Sequence, residues 1–254
     1  MNNRISKIPN DVQDRSSEAW LKLCEYVEEL AANGKDEFIP REYLGDELFA
    51  QIYTLPESIA KLKKVKKIGL YGSSLKRIPP EIGEMEALEY FDVYTSYHLH
   101  WLPYELTKCK NLKDSRISTR VLFGNYKNRM GFPKLHHSPV RYHGEKVNCS
   151  ICSKQMNYAD TNQMWISLNV ATDIVPLLVN LCSETCKDQL PSPPPYYVPR
   201  PHKGGASLEQ PTISEQDYCM ATGEVISLKE MEQYQQNLKE EKPPILRLIR
   251  KIWE

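Results

Sequence analysis

The chain lacks an excess of charge of either sign. Its 254 residues include 33 Lys and Arg residues and 33 Asp and Glu residues, so the formal net charge is zero. A neutral chain has no general electrostatic attraction to nucleic acid or to an anionic membrane surface. Binding to either would therefore have to come from a local cluster of charges.

Long apolar runs are also missing. The longest, residues 174–181, contains Pro176 and is much shorter than the roughly 20 residues that a membrane-spanning helix needs. Residues 1–6 lack the apolar core of a secretory signal. These absences predict a cytoplasmic protein with no membrane span.

The common catalytic motifs are absent as well. The sequence has no Gly-rich phosphate loop, no G-x-S-x-G elbow and no H-E-x-x-H motif. Catalytic groups also assemble from distant positions, so this absence does not exclude an enzyme. We interpret the chain as a binding protein rather than an enzyme and keep the second possibility open.

Against these absences stand four cysteines in two close pairs. Cys149 and Cys152 are separated by two residues, and Cys182 and Cys186 by three. Two thiolate pairs at this spacing predict a tetrahedral zinc site with four sulfur ligands. Because the protein would fill every position of the shell, no place remains for an activated water, and the zinc is predicted to be structural.

Histidines leave two alternatives for metal binding. One of three histidines upstream of the first cysteine pair could replace a cysteine ligand, although a surface position is favoured for them: His136, His137 and His143. His98 and His100 alternate in an extended segment, but no third ligand lies near them in sequence. A RING-type site is not predicted, because it needs about eight ligands.

The sequence around the cysteines resembles the treble-clef zinc fingers. Alternating apolar residues from Met164 to Val170 predict a half-buried strand, and the second cysteine pair opens a predicted short helix over residues 183–190. A cysteine knuckle, a hairpin and a helix, in this order, are typical of that group. The resemblance covers about residues 147–190 and implies a fold and a metal but no activity.

A second pattern recurs upstream, at Leu55-Pro56, Ile78-Pro79 and Leu102-Pro103, and more loosely at Phe132-Pro133. The first three lie roughly 23 to 24 residues apart, the spacing of leucine-rich repeats. Residues 55–134 resemble that family, in the subtype with an L-P-x-x-I/L stretch after the strand. The resemblance implies neighbouring parallel strands at residues 67–70, 90–93 and 114–117.

The repeats depart from the family pattern in two respects. The family usually has Asn in the turn after the strand, where this chain has Ser73, Ser96 and Arg120. We therefore expect the hydrogen-bond ladder between these turns to be missing. Ser115 also occupies a slot that is normally apolar, so the third repeat is the weakest match.

The repeat register places one set of side chains on the concave face of the array. Tyrosines beside an Asp and an Arg are residue types that concentrate binding energy at protein interfaces. We predict that this face binds a protein partner through Tyr71, Tyr90, Asp92, Tyr94 and Arg116. The alternative is a solvated sheet face on which the aromatic rings pack only against each other.

Two further segments could bind partners. A basic cluster could contact phosphate in a nucleic-acid adaptor: Lys61, Lys63, Lys64, Lys66, Lys67, Lys76 and Arg77. Acidic residues follow it in the next repeat, so a solvated, neutralised face is favoured over nucleic acid. Residues 191–205 are rich in proline and predict an extended tether or strap, in which Pro193–Tyr196 resembles a WW-domain ligand.

The predicted architecture is α+β, with five successive segments. These are an N-terminal helical cap (1–54), leucine-rich repeats (55–134), a zinc-binding module (135–190), a Pro-rich linker (191–211) and a C-terminal helical segment (212–254). If the chain is an enzyme or an enzyme subunit, its site is expected between the repeats and the zinc module.

Overall fold

The computed structural model describes residues 8, 11–125, 130–135 and 139–211, and the backbone of residues 216–218 and 225–227. Its contacts divide the chain into two units, Met1–Gln210 and Pro211–Glu254. The fold is a mixed α+β arrangement of few helices and several small sheets, as predicted at that level. The finer predicted bounds within the first unit stay predictions.

The first unit contains three α-helices and nine strands among its described residues. In chain order they are α1 (Glu18–Asn33), β1 (Glu37–Phe38), α2 (Pro40–Phe49), β2 (Lys67–Gly69), β3 (Tyr90–Val93), β4 (Leu102–Pro103), β5 (Asp114–Ile117), β6 (Lys146–Asn148), β7 (Gln155–Asn157), β8 (Asn162–Val170), β9 (Asp173–Leu181) and α3 (Glu184–Lys187).

In the second unit, the antiparallel strands β10 (Gln216–Tyr218) and β11 (Val225–Ser227) pair with each other. The sequence did not predict this pairing. The rest of the predicted C-terminal helical segment (212–254) lies outside the described residues.

The predicted repeat strands lie side by side. β1, β2, β3 and β5 form one parallel sheet, in which Lys67 pairs with Tyr90 and Tyr90 with Asp114. This confirms the expected parallel order of residues 67–70, 90–93 and 114–117. β1 was not predicted, and it extends the sheet from the N-terminal helical segment.

A short 3-10 helix follows each of the first three Leu-Pro or Ile-Pro pairs, at Glu57–Lys61, Pro80–Glu84 and Tyr104–Lys108. The preceding proline fixes the entry angle of each turn, because its ring restricts φ. Each turn buries one aliphatic side chain at the same position: Ile59, Ile82 and Leu106. Residues 131–135, the looser fourth unit, form no regular element.

Serines build the hydrogen-bond ladder that we expected to be missing, so that prediction was wrong. The hydroxyls of Ser73 and Ser96 lie 2.7 Å apart, and Ser96 donates to the carbonyl of Leu70. The third rung comes from Ser118, whose hydroxyl accepts from the Thr95 amide at 2.7 Å, and not from the position of Arg120. A short hydroxyl thus satisfies the turn groups that Asn usually satisfies.

Helix α1 lies in the predicted N-terminal helical segment. Ser17 caps it by accepting from the Trp20 amide, and Gly34 ends it in a left-handed conformation. The buried face of the helix carries Ala19, Trp20, Leu23, Val27 and Leu30.

The hairpin of β8 and β9 is buried on both faces, whereas the sequence predicted a half-buried β8. Ile166 and Leu168 belong to the core shared with the repeats. On the other face Trp165 fills a second core, with Trp101, Phe123, Phe132, Leu135, Val140, Tyr142 and Leu178. The alternation was misleading, because Trp165 occupies a slot that the pattern assigned to solvent.

Two contacts join this hairpin to residues 102–117. β4, which leads into the third Leu-Pro turn, pairs in parallel with Leu177 and Leu178 of β9. At the hairpin turn, Thr172 and Asp173 lie within hydrogen-bond distance of the Ser115 hydroxyl, at 3.0 and 2.8 Å. Ser115, the polar residue in a slot predicted to be apolar, therefore has a partner outside the parallel sheet.

The Pro-rich segment forms a strap and not a free tether over residues 197–205. The backbone of His202 exchanges two hydrogen bonds with that of Trp165, at 2.8 and 3.0 Å. The Leu135 amide donates a hydrogen bond to the Lys203 carbonyl, and the Gly205 amide donates one to the Phe132 carbonyl. The strap thereby covers the second core along the outer edge of β8.

Gly204 is the tightest point of this strap, which leads to a testable prediction. Its φ is +67°, and an added Cβ would lie 2.2 Å from the Pro133 carbonyl oxygen. We expect Gly204→Ala to lower the free energy of unfolding by about 2 kcal/mol or more, measured by urea denaturation.

Gly144→Ala is the matched control. Gly144 also has a positive φ, +89°, but an added Cβ would meet nothing within 4 Å. This variant carries only the backbone penalty, so it should lose clearly less stability than Gly204→Ala. Equal losses would contradict the close packing of the strap on Pro133.

His202 gives a second prediction, on pH. Burial, and secondarily the charge of Arg200, lowers the pKa of His202 from 6.5 to about 4 in the folded chain. The unfolded chain binds the proton first, so this contribution to stability is present above pH 6.5 and is lost as the pH falls toward 4. Between about pH 7 and about pH 5 the expected loss is about 2 kcal/mol.

The variant His202→Asn should remove this pH dependence. Nδ1 of His202 accepts a hydrogen bond from the Gly204 amide at 3.1 Å, and an Asn carbonyl oxygen could replace that acceptor without titrating. Urea denaturation of both proteins at the two pH values isolates the effect from other titrating groups. The same slope in parent and variant would contradict a buried, neutral His202.

Candidate metal centre

The two cysteine pairs come together at one point. The Sγ atoms of Cys149, Cys152, Cys182 and Cys186 all lie within 4.8 Å of one another. Cys182 Sγ is 3.5 Å from Cys152 Sγ and 3.6 Å from Cys186 Sγ. A tetrahedron with metal–sulfur bonds of about 2.3 Å has edges of about 3.8 Å, so these thiols could hold one metal ion.

Local backbone geometry places the first pair on the turn between β6 and β7. The Cys149 amide donates to the Lys154 carbonyl, and the Ser153 amide donates to the Cys149 carbonyl, both at 2.9 Å. Ser153 has a φ of +61°, which folds the chain back on itself. The result is a tight knuckle whose two thiols point to the same side.

The second pair follows the end of β9. Cys182 comes directly after the strand, and Cys186 lies in α3, where the Ser183 hydroxyl caps the helix by accepting from the Cys186 amide. Helix α3, Glu184–Lys187, is shorter than the predicted helix at residues 183–190. Knuckle, hairpin and helix nevertheless follow each other in the predicted order.

The centre is buried on one side and open on the other. Cys149 and Cys186 are 0% and 5% exposed, whereas Cys152 is exposed and Cys182 half-buried. Hydrogen bonds, first from the Lys154 amide and then with neighbouring thiols, lower the pKa of Cys152 to about 7. Cys152 is therefore readily available as a thiolate ligand.

The other histidines and cysteines among the described residues take no part in this cluster. His143 is exposed and His100 bonds the Val121 carbonyl through Nδ1 at 2.7 Å, and neither belongs to a group of three potential ligands in the described ranges. Burial raises the pKa of the Cys24 and Cys109 thiols. His136, His137 and Cys219 lie outside the described residues.

One link between the cysteine knuckle and the repeats was missed by the sequence analysis. Ser150, inside the first cysteine pair, exchanges hydrogen bonds with the backbone of Asn180 in β9 and also bonds the carboxylate of Glu105. Glu105 lies in the third Leu-Pro turn. Burial raises the pKa of its carboxyl to about 7, and the Ser150 bond partly opposes this shift.

The predicted partner-binding residues cluster on the parallel sheet, with different exposures. Tyr71 and Tyr94 are 45% and 44% exposed, and their ring centroids lie 6.1 Å apart. The Arg116 guanidinium lies over the Tyr94 ring, 5.3 Å from its centroid. Tyr90 is half-buried on the same strand face.

Asp92, in contrast, is only 7% exposed, so its expected direct contact with a partner has no support in its position. Its carboxylate accepts hydrogen bonds from Arg116 at 3.1 Å and from the Tyr94 amide at 2.9 Å. Asp92 therefore orients the other two residues. The sequence spacing predicted correctly on which face of the sheet Asp92 lies, but it could not predict how deeply the side chain is buried.

Acidic partners neutralise much of the basic cluster. Lys61 pairs with Glu28, Lys63 with Glu84 and Glu86, Lys66 with Glu89, and Lys67 with Glu37. Lys76 lies over the Tyr53 ring, and the buried Arg77 donates to the Arg141 carbonyl. Most basic side chains of the cluster therefore contact partners within the protein itself.

Comparison with models of known protein families and with curated proteins gives no match for this chain. Among the described residues, no helix has the length and apolar character that a bilayer crossing requires.

The cysteine geometry predicts one tightly bound metal ion per chain. Cys182→Ser should lose the ion and lower the stability of the cysteine module, because the binding energy of such sites is largely folding energy. Elemental analysis of freshly purified, reduced protein measures the first effect, and thermal unfolding measures the second.

Cys24→Ser is the control for this measurement, because it makes the same substitution at a half-buried thiol outside the cluster. It should keep one ion per chain. Absence of any metal from the parent protein, or loss of the ion in both variants, would contradict the assignment of the four ligands.

Proposed function

We propose that this protein is a protein–protein interaction module. In this proposal, residues 55–134 are a short leucine-rich repeat array whose concave face binds the partner, and a structural zinc ion stabilises the module that follows. The observation that carries the proposal is the exposed cluster of Arg116, in the parallel sheet, with Tyr71 and Tyr94, in the turns directly after β2 and β3.

Regular spacing supports the repeat assignment. Three parallel strands, three 3-10 turns after prolines and a ladder of serine hydroxyls recur at the same register. Each unit buries its apolar side chains against its neighbours, which is how such arrays gain stability. Helix α1 on one side and the β8–β9 hairpin on the other would then act as the caps that a short array needs.

The donor set supports zinc as the metal. Four thiolates at tetrahedral distances suit a soft, borderline cation, and zinc is the usual ion of such closed structural sites. The order of knuckle, hairpin and helix suits a treble-clef-like module. Thiols kept free for a metal also suit a reducing compartment, so we propose a cytoplasmic location.

The chemistry of the exposed cluster suits a protein partner. Tyr71 and Tyr94 offer two adjacent rings, and Arg116 keeps part of its guanidinium exposed while Asp92 fixes its position. Aromatic rings and arginine give large contact area and hydrogen bonds at little entropic cost when they are already ordered. Such preorganised groups are the usual centres of protein interfaces.

A nucleic-acid adaptor is the first alternative. It would use the basic cluster of Lys61 to Arg77, whose charges pair mainly with carboxylates of the helical cap and of the next repeat. Phosphate would have to displace those carboxylates, so the attraction left for nucleic acid is small. We therefore favour the protein partner.

An enzyme is the second alternative. A groove of about 490 Å³ lies between the third Leu-Pro turn, the β8–β9 hairpin and the Pro-rich residues 191–194, and its ionisable groups are Tyr104, Cys109 and Lys110. Burial raises the pKa of Cys109 to about 12, so its reactive thiolate is scarce near neutral pH. Nothing in this groove favours catalysis over partner binding.

The proposal predicts that Tyr94→Ala weakens partner binding by about 1 to 3 kcal/mol. The change removes a ring in contact with both Tyr71 and Arg116, while the metal site stays intact. A crosslinked pull-down from native lysate would first identify the partner, and titration calorimetry with the purified partner would then measure the affinity of parent and variant.

Tyr97→Ala is the matched control. Tyr97 is 61% exposed and follows Tyr94 by three residues, but the ring contact with Tyr71 and the contact with the Arg116 guanidinium are made by Tyr94 and not by Tyr97. It should bind the partner as the parent does. Unchanged binding by a folded Tyr94→Ala protein, or an equal loss in Tyr97→Ala, would reject this binding face.

A further inference from the structure

The four metal-ligating thiols differ sharply in their access to solvent. Cys149 and Cys186 belong to the hydrophobic core of the first unit, whereas Cys152 is exposed and Cys182 half-buried. A reagent dissolved in water therefore reaches two of the four sulfurs. These two are also close to each other, with Sγ atoms 3.5 Å apart.

A pocket lies directly beside this open side. It has a volume of about 330 Å³, and Cys182 forms part of its wall together with the exposed Lys146 and Lys154 and with Asp160. A pocket of this size admits a small, water-soluble oxidant to the Cys182 side of the cluster, and partial exposure is a usual feature of reactive cysteines.

We propose that Cys152 and Cys182 form a redox modification site, at which a peroxide converts the two thiolates to a disulfide and the metal is released. This inference rests on the proposed zinc site and goes beyond its structural role. It assigns a reagent class, a hydroperoxide, and a specific pair of sulfurs.

The reaction balances with hydrogen peroxide as the oxidant. The exposed Cys152 thiolate attacks one peroxide oxygen, a sulfur–oxygen bond forms, the oxygen–oxygen bond breaks, and the departing hydroxide takes up a proton to give water. Cys182 then attacks the sulfenic sulfur, a disulfide bond forms, and the second oxygen leaves as water after protonation. The two thiolates lose two electrons, and the peroxide gains them.

Release of the metal follows from ligand loss. A disulfide sulfur is a poor zinc ligand, so a bound ion would keep only Cys149 and Cys186 as protein ligands, and its affinity would fall accordingly. Reduction of the disulfide would restore the four thiolates, so the change is reversible while oxidation stops at this stage.

Burial of Cys149 and Cys186 makes a first disulfide that involves either of them unfavourable. Cys186 Sγ is almost as close to Cys182, at 3.6 Å, but it is almost fully buried in the core. The first attack must occur at a sulfur that the peroxide can contact, and Cys152 is the most exposed of the four. Cys182, whose Sγ lies 3.5 Å from that of Cys152 and which is half-buried rather than buried, is then the accessible partner.

The test uses the full-length, zinc-loaded protein and hydrogen peroxide. A chromogenic chelator follows zinc release, and peptide mapping without reduction identifies the disulfide. We expect one zinc released for each Cys152–Cys182 disulfide formed, and recovery of zinc binding after addition of a thiol reductant. Zinc retained throughout oxidation, or a first disulfide that involves Cys149 or Cys186, would overturn the proposal.

Cys152→His provides the matched variant, because imidazole can replace a thiolate in the zinc shell but cannot form a disulfide. It should bind zinc and release it at least about tenfold more slowly under peroxide. Cys24→Ser should release zinc at the parent rate. Equal release from parent and Cys152→His would reject the inference, whereas absence of zinc from the untreated parent would reject the zinc site itself.

Discussion

The rest of the described structure depends on burial of the β8–β9 hairpin on both of its faces. One face completes the core beneath the four-stranded parallel sheet, and the other supports the aromatic cluster under the strap. The turn of the hairpin binds Ser115, and its far end leads into Cys182. A single element thus connects the parallel sheet to the cysteine cluster, and one continuous core extends over both.

Buried polar groups make this connection specific. Ser115 bonds the hairpin turn, Ser150 bonds Glu105, and Asp92 bonds Arg116. Burial of any of these polar groups without a hydrogen-bond partner would cost free energy. Each group therefore favours the arrangement of its neighbours in which its partner is in place. The same principle connects stability with the proposed function, because Asp92 holds the arginine that would contact a partner.

The sequence was sufficient where a period or a ligand spacing carried the information. It predicted the cysteine set, the order of the parallel strands and the face of Tyr71 and Tyr94. It failed where tertiary contact decides: Trp165 lies in a slot that alternation assigns to solvent, and Asp92 is buried by the neighbouring Arg116. The serine ladder could not be predicted from the family pattern, which has Asn in these turns, although a serine hydroxyl bonds the same groups. The strap could not be predicted either, because the sequence does not show which edge of β8 lacks a partner strand.

X-ray absorption at the zinc edge of the freshly purified protein tests the central claim most directly. Because four cysteine sulfurs lie at tetrahedral distances, we expect one zinc per chain with four sulfur neighbours at about 2.3 Å and no lighter ligand. A shell that includes nitrogen or oxygen would contradict the assignment of four cysteine ligands. Absence of zinc would contradict the assignment of the metal itself.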